Sequence, residues 1–357
     1  MASEGFFIIT DISGYTEYLT RSELDHANEI LQGLFEAQLA TIKHPFIISG
    51  FRGDAIFMYV PRTNFVQAQS LLESIENLYV VFARTLEQMQ YRTTCRCRAC
   101  SNMSILDLKM CIHYGEYLVQ KLGDREELLG ADVIVPHRML KNSVTEKTGV
   151  RSYAIFTAAA AEVLDLTTMC ANLEEHTETY EHLGEVRMFV YDLRPIWEKA
   201  KIRKEMVISR EAAWVKFEDE IPLPPPLVWE YLTDPSLEAR SLGLDYAERI
   251  DDLGGRTRPD ARFHCSHGEL DLRNLIVDWH PFEYYTIQQS AMGLTYLQTR
   301  RFSPTQSGTL FGAYFGKPAE GSSEDVRSIL QGAVEASFGL IKPTILQDVA
   351  DGKVTAP

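Results

Sequence analysis

The sequence predicts an α+β protein of two domains. Three observations predict it. The first half reads strand, helix, hairpin, helix, strand, the alternation of a mixed sheet with helices packed on one face. A polar, basic stretch, RPIWEKAKIRKE at 194–205, then interrupts an otherwise acidic chain. Beyond it come a strand, short helices, a run of antiparallel strands and one long helix, which is a helix-grip order. A length of 357 residues suits about two domains. The expected boundaries are residues 1–193, a linker at 194–207, and residues 208–357.

Phe6 to Ile9 are four apolar residues in a row, two aromatic and two β-branched, and predict a buried strand. Asp11 stands at its end, Ser13 and Gly14 turn the chain, and Tyr15 to Leu19 start a helix. Glu23 to Ile42 is amphipathic, with Leu24, Ala27, Ile30, Leu31, Leu34 and Phe35 at helical spacing. PFIISGFRGDAIFMYV, Pro45 to Val60, predicts a hairpin whose turn holds Gly50, Gly53 and Asp54. Asn64 to Gln90 predicts a long helix with Phe65, Ala68, Leu71, Leu72, Ile75, Leu78, Tyr79 and Phe82 as its core stripe. A strand follows at Leu106.

In the second domain Ala213 to Glu220 predicts a strand, and Ile221 to Pro235 a proline stop and a short helix. Strands follow at Arg262–Ser266, Glu269–Asp278, Tyr284–Gln289, Gly293–Ser303 and Thr309–Phe315. A long helix from Ser323 to Asp348 carries the stripe Val326, Ile329, Leu330, Val334, Phe338 and Ile341.

Some residues suggest chemistry. Asp11 and Asp54 each sit where a strand turns. Hard divalent cations take oxygen ligands, and one or two carboxylates with phosphate oxygens make the usual site. Taken alone, Asp11 reads first as a cap for the next helix. Cys95, Cys97 and Cys100 form a C-x-C-x-x-C cluster in a loop with Arg96 and Arg98. These are candidate ligands of a structural zinc, which needs four; Cys111 and His113 are candidates for the fourth, and a partner chain could also supply it. The alternative is three free thiols. Cys170 and Cys265 read as isolated buried residues. His264, Cys265 and His267 make H-C-x-H, but adjacent strand residues face opposite ways, so His264 and Cys265 read as structural. No Gly-x-Ser-x-Gly, P-loop or H-E-x-x-H motif occurs.

In order, DISGYT, GDAIFMY, LKMCIHYGE, LLGADVIVPHRMLKNS and HLGEVRMFVYDL resemble the class III nucleotidyl cyclases over about 190 residues. The resemblance implies a ferredoxin-like fold. It implies two divalent ions, magnesium or manganese, on Asp11, Asp54 and the backbone carbonyl near Ile12. It implies a nucleoside triphosphate as substrate, cyclic nucleotide and pyrophosphate as products, and a head-to-tail homodimer. Alignment on Gly130 puts the transition-state arginine at Arg138. The ribose-orienting asparagine falls on Ile134, the base-selecting lysine on Gly50 and its acidic partner on Glu127. Those departures leave two outcomes, a working cyclase or a domain that binds nucleotide without turnover.

The second domain resembles the START-like superfamily over roughly 145 residues, on VWEYLTDP from Val228 and VDWHPFEYYTIQ from Val277. That implies a small apolar ligand in a cavity, with Tyr284, Tyr285, Tyr296, Phe302, Phe311, Tyr314 and Phe315 as lining, or else as core. A third reading is therefore a carrier without catalysis.

Composition narrows the classes. Lys plus Arg is 35 and Asp plus Glu is 50, so the net charge is −15, which argues against nucleic acid and anionic membranes as partners. No apolar run is long enough to span a membrane and no leader is visible. With unevenly placed cysteines, a reducing cytoplasm is expected.

Overall fold

The computed structural model describes residues 2–64, 67–123, 125–169, 173–251 and 256–354. Cys170 and Phe65 lie outside the described residues. The chain divides into two compact units. The first is Met1–Arg62 with Leu71–Arg203, and the second Thr63–Ser70 with Lys204–Pro357.

The first unit opens with β1 (Ser3–Ser13), α1 (Tyr15–Thr20) and α2 (Leu24–Thr41). The hairpin β2 (Ile47–Arg52) and β3 (Ala55–Pro61), then α3 (Ala68–Arg92), α4 (Arg98–Ser101) and β4 (Asp107–Leu122) follow. The strand order β2-β3-β1-β4 with antiparallel neighbours is that of a βαββαβ ferredoxin-like core. β5 (Arg125–Leu129) folds back on the end of β4 as an arm. Then come α5 (Ala131–Met139), α6 (Val144–Thr148), β6 (Tyr153–Thr157), α7 (Ala158–Val163), α8 (Leu166–Met169), β7 (Glu174–Tyr180), β8 (Gly184–Asp192) and α9 (Arg194–Ile202). β6, β8 and β7 extend the sheet beyond β4, with β4 and β6 parallel.

The apolar stripes explain why these elements stay. Leu71, Leu72, Ile75, Leu78, Tyr79 and Phe82 of α3 are all fully buried. In α2, Ala27, Ile30, Leu31 and Leu34 are buried, but Leu24 is exposed because it is the helix's first residue. The basic stretch expected as a linker begins as α9, whose Trp197 is buried.

The second unit runs β9 (Val215–Ile221), α10 (Pro225–Thr233), α11 (Pro235–Leu242), β10 (Tyr246–Arg249), β11 (Arg262–His267), β12 (Leu270–His280), β13 (Tyr284–Ala291), β14 (Leu294–Pro304), β15 (Thr309–Phe315), α12 (Glu324–Phe338) and α13 (Ile341–Ala350). Its antiparallel sheet has the order β10-β11-β12-β13-β14-β15-β9. The single C-terminal helix expected from the sequence is two. Pro343 has no N–H to give the carbonyl of Gly339 and crowds it, so the helix breaks between Phe338 and Ile341. The buried stripe is Val334, Phe338, Ile341 and Ile345, while Ile329 is exposed.

The seven aromatics expected to line a cavity divide between the sheet's faces, as alternation requires. Tyr285, Tyr296, Phe302, Phe311 and Phe315 join the core cluster, where Phe311 stacks on Phe338 with ring centres 6.0 Å apart. Tyr284 and Tyr314 are buried outside that cluster, their hydroxyls donating to Asp278 and Glu218. A cavity between Leu232, Phe263, Asn274, Ile276 and Tyr285 measures about 10 Å³, room for about one water. Beside it, buried Arg300 donates to Glu238 at 2.6 Å and to the Tyr285 hydroxyl at 2.8 Å.

Removing Glu238 strands a buried guanidinium. Glu238→Ala should therefore cost about 3–5 kcal/mol in urea unfolding, and Glu238→Leu with Arg300→Met should recover most of it. A single variant as stable as the parent would show that water reaches Arg300.

Candidate functional site

The site follows from the register of β1. Asp11 lies opposite Ala55 of β3 and opposite Lys109 of β4. Opposed side chains share a face, here the face that Phe7, Ile9, Ala55 and Phe57 cover with Val133 of α5. Asp54 occupies the β2–β3 turn immediately before Ala55, after Gly53 at a φ of 66°. The hairpin therefore delivers the Asp54 carboxyl close enough to Asp11 for the charge of one to act on the other.

Three charges share this spot. Lys109 Nζ is 3.1 Å from Asp11 Oδ2, with both side chains mostly buried. The same ammonium donates to the Leu140 carbonyl at 3.2 Å, just past the end of α5. Burial alone would lower the Lys109 pKa, but the Asp11 carboxylate outweighs it and the pKa is raised. The Asp54 carboxyl is pushed from its ordinary value of 3.8 up to about 6, first by burial and next by the charge of Asp11. One ammonium does not neutralise two carboxylates. A donor set of two neighbouring carboxyl groups, one of them made reluctant to ionise by burial and by the charge of the other, fits a divalent cation. Ile12 points its side chain to the other face, where it is buried opposite Leu108, so only its backbone carbonyl could reach such an ion.

The remaining candidates lie on α5 and the arm. Ile134 is half-exposed and Arg138 exposed, one helical turn apart on one side of α5. Among the described residues, no ion pair joins Arg138 to Asp11 or Asp54. Glu127 is on β5 opposite Gln120. Gly50 sits at a bulge in β2. Beside Ile134 and Arg138 on α5, His137 packs against the Phe57 ring at 4.7 Å. Its pKa is lowered by burial and then by the charge of Arg52, which places Arg52 near that helix. Asp132 fixes the start of α5 by accepting from the Glu116 amide at 2.8 Å. A cleft of about 530 Å³ between α3, the start of β4 and α9 includes none of these residues.

Sequence reasoning missed Lys109 and His137. The signal for Lys109 was present: LDLKM alternates, and pairing β4 against β1 sets Lys109 opposite Asp11. The cysteine cluster also needs correcting. Cys111 is fully buried beneath α5, its thiol pushed up to about 12 by burial. His113 Nδ1 is 2.9 Å from Thr157 Oγ1, and its Nε2 faces Asp132. Neither joins Cys95, Cys97 and Cys100, and the histidine that does is His26 of α2. His264 faces away from buried Cys265 and lies against Asp271 and Tyr246. No described helix is long and apolar enough to cross a membrane.

A family model described as "Protein of unknown function (DUF2652)" matches residues 31–148. The Uncharacterized protein Rv2561/Rv2562 of Mycobacterium tuberculosis (strain ATCC 25618 / H37Rv) is 30% identical over 148 residues. That match is 41% of this chain and spans 66% of the relative's length. Among solved structures, the guanylyl cyclase Cya2 is similar at 14% identity and a TM-score of 0.42, over 53% of this chain and 92% of that one. The guanylate cyclase domain of RhGC from Catenaria anguillulae, in complex with GTP, is similar at 14% identity and a TM-score of 0.39, over 53% and 97%. At such identities and scores the likeness assigns no activity.

The raised pKa of Asp54 has a sign. An acid that titrates higher folded than unfolded costs the folded state stability once pH exceeds its ordinary value, the cost growing between about 3.8 and about 6. Asp54→Asn in metal-free buffer should therefore raise the melting temperature at pH 7 to 8. With the partial solvent exposure of the group discounted, the gain is about 1 kcal/mol, or about 2–4 °C. It should vanish as pH falls below about 4. A gain that is the same at pH 4 and pH 7 would mean that neither burial nor Asp11 raises the Asp54 pKa.

Proposed function

We propose that the first unit binds a purine nucleoside triphosphate as its divalent-metal complex and, in a homodimer, converts it slowly to a cyclic nucleotide and pyrophosphate. The observation that carries this reading is the pairing of Asp11 with Asp54 beside Lys109. In the reaction the ribose 3′ oxygen bonds to the α-phosphorus, the bond to pyrophosphate breaks, and the hydroxyl proton is released. Asp11, Asp54 and the Ile12 carbonyl would hold magnesium or manganese, which when bound lowers the pKa of the attacking hydroxyl and offsets phosphate charge. Lys109 orients the Asp11 carboxylate and supplies a fixed positive charge. Arg138, exposed on α5, is free to serve a neighbouring chain's phosphate, and Glu127 to read the base edge.

The dimer has support in the surface. Ile47, Ile48 and Phe51 of β2, Leu118, Val119 and Leu129 of the arm, and Ile134 are all more than a third exposed. β2 and β5 touch, and exposed apolar side chains gathered along this edge are of the kind that marks an interface. Slow turnover follows from Ile134, because an alkyl group cannot hydrogen-bond a ribose. The second unit's antiparallel sheet with C-terminal helices supports a START-like reading, and its aromatics serve as packing.

The test is the purified chain with manganese and each nucleoside triphosphate, followed for metal-dependent binding, cyclic product and pyrophosphate. Asp11→Asn and Asp54→Asn should each weaken metal-dependent binding by ~10-fold or more. Arg138→Ala should lower turnover about 10²-fold with little change in binding, and Ile134→Asn should raise it by up to about 10²-fold. Glu127 without a lysine at Gly50 should leave ATP and GTP within ~10-fold of each other in competition. Phe51→Asp should shift the dimer toward monomer in sedimentation and lose product with it. Absence of metal-dependent nucleotide binding in the unaltered chain refutes the reading; binding without product leaves the domain a nucleotide-binding module.

A further inference from the structure

We infer that His26, Cys95, Cys97 and Cys100 form a structural zinc site that clamps the start of α2 to the connection between α3 and β4. It is independent of the carboxylate site. One ligand atom from each of the four side chains lies within 4.8 Å of all the others. His26 Nδ1 is 3.2 Å from Cys97 Sγ and 3.7 Å from Cys95 Sγ. A tetrahedron with Zn–S of about 2.3 Å and Zn–N of about 2.0–2.1 Å has N···S edges of about 3.6 Å and S···S edges of about 3.8 Å. The two N···S distances bracket that edge and the remaining separations are within 4.8 Å, so small side-chain shifts would bring the four atoms onto one ion.

The surroundings suit thiolates. The amide of Cys97 donates to Cys95 Sγ at 3.5 Å, and that of Cys100 to Cys97 Sγ at 3.4 Å. Backbone donors of this kind orient a metal-bound sulfur and hold its charge. The loop is fastened independently of metal. Glu23, just before α2, accepts from Arg98 Nε at 3.1 Å and from the Ala99 amide at 3.0 Å. Tyr18 donates to the Ala99 carbonyl at 3.1 Å. The frame is thus set before an ion arrives, which reduces the ordering cost of binding.

The donor set selects the ion and its role. Three sulfurs and one imidazole suit zinc and exclude hard cations such as magnesium. Four protein ligands complete the tetrahedron and leave no position for a substrate, so the site is structural. Its place gives it a purpose. Within the 93–106 connection Ala99, Met103 and Leu106 are buried, but Thr94, Cys95 and Arg96 are exposed, so the stretch that brings the first thiol is the one an ion would fasten. The connection leads directly into β4, the strand that carries Lys109 to Asp11.

The test is metal analysis of the full chain purified under reducing conditions without chelator. About one zinc per chain is expected. Cobalt substitution should give thiolate-to-cobalt charge-transfer absorption and the strong visible bands of a tetrahedral site. Cys97→Ser should abolish the metal, and His26→Ala should weaken zinc by at least ~10-fold in chelator competition. His182→Ala, at an exposed turn, should leave it unchanged. Should Cys97→Ser fail to fold, mercurial titration of the unaltered chain reads the same thing, with zinc released as the thiols are blocked. Protein that carries no zinc after expression in zinc-supplemented medium overturns the proposal. Zinc whose affinity His26→Ala leaves untouched overturns it as well, because the fourth ligand would then be something else.

Discussion

The register of β1 between β3 and β4 is the constraint on which the first unit depends. A shift by one residue would turn every side chain of β1 to the opposite face. Phe7 and Ile9 would leave α5, and Asp11 would leave Lys109. The register is held from both sides, since β1 is central in the sheet and buried on both faces. A carboxylate on such a strand cannot drift. Asp54 reaches the same place because the β2–β3 turn is short and passes through Gly53, whose positive φ costs glycine nothing. The position of the two acids is thus a consequence of packing, decided far from either carboxyl.

Much of this was legible in the chain because it was written in periodicity. The runs at Phe6–Ile9 and Ala55–Val60 and the stripe of α3 each admit one reading. What escaped takes its meaning from a distant part of the chain. Lys109 matters only through a partner almost a hundred residues earlier in the chain. His26 sits in a polar stretch, SELDHANE, that reads as an ordinary helix start. It meets the cysteines because α2 and the 93–106 loop lie side by side, and nothing in their spacing says so. Cys111 and His113 were attractive by proximity in sequence, yet both point beneath α5. The C-terminal helix was misjudged for a different reason. Its apolar stripe continues in register across Leu340, and the proline that breaks it sits where periodicity is silent.

The second unit shows why aromatic-rich sheets are hard to read for ligands. Alternation placed the tyrosines and phenylalanines correctly on strands, but filling and lining require the same residues. The structure decides by contact. Phe302 and Phe311 have ring centres 5.4 Å apart, and Trp229 lies edge-on to Tyr285 at 5.4 Å. Rings at such spacings satisfy one another. The buried Arg300 is held by Glu238 and Tyr285 in the same core, a costly arrangement that persists only where each polar group is paired.

Charge decides what the carboxylate site can accept. Asp11 and Asp54 against Lys109 leave one net negative charge, inside a chain whose total is −15. A nucleoside triphosphate carries several negative charges of its own, so the bare site would repel it. Lys109 cannot reverse that sign, because Asp11 and the Leu140 carbonyl already hold its ammonium. Arg138 is exposed and Arg52 lies at the surface, where the Coulomb attraction of a single charge is worth about 1 kcal/mol at contact distance in water. Divalent cations are the remaining source of positive charge strong enough to bring a polyphosphate to two carboxylates. On the proposed reading, nucleotide binding is therefore conditional on metal from the outset.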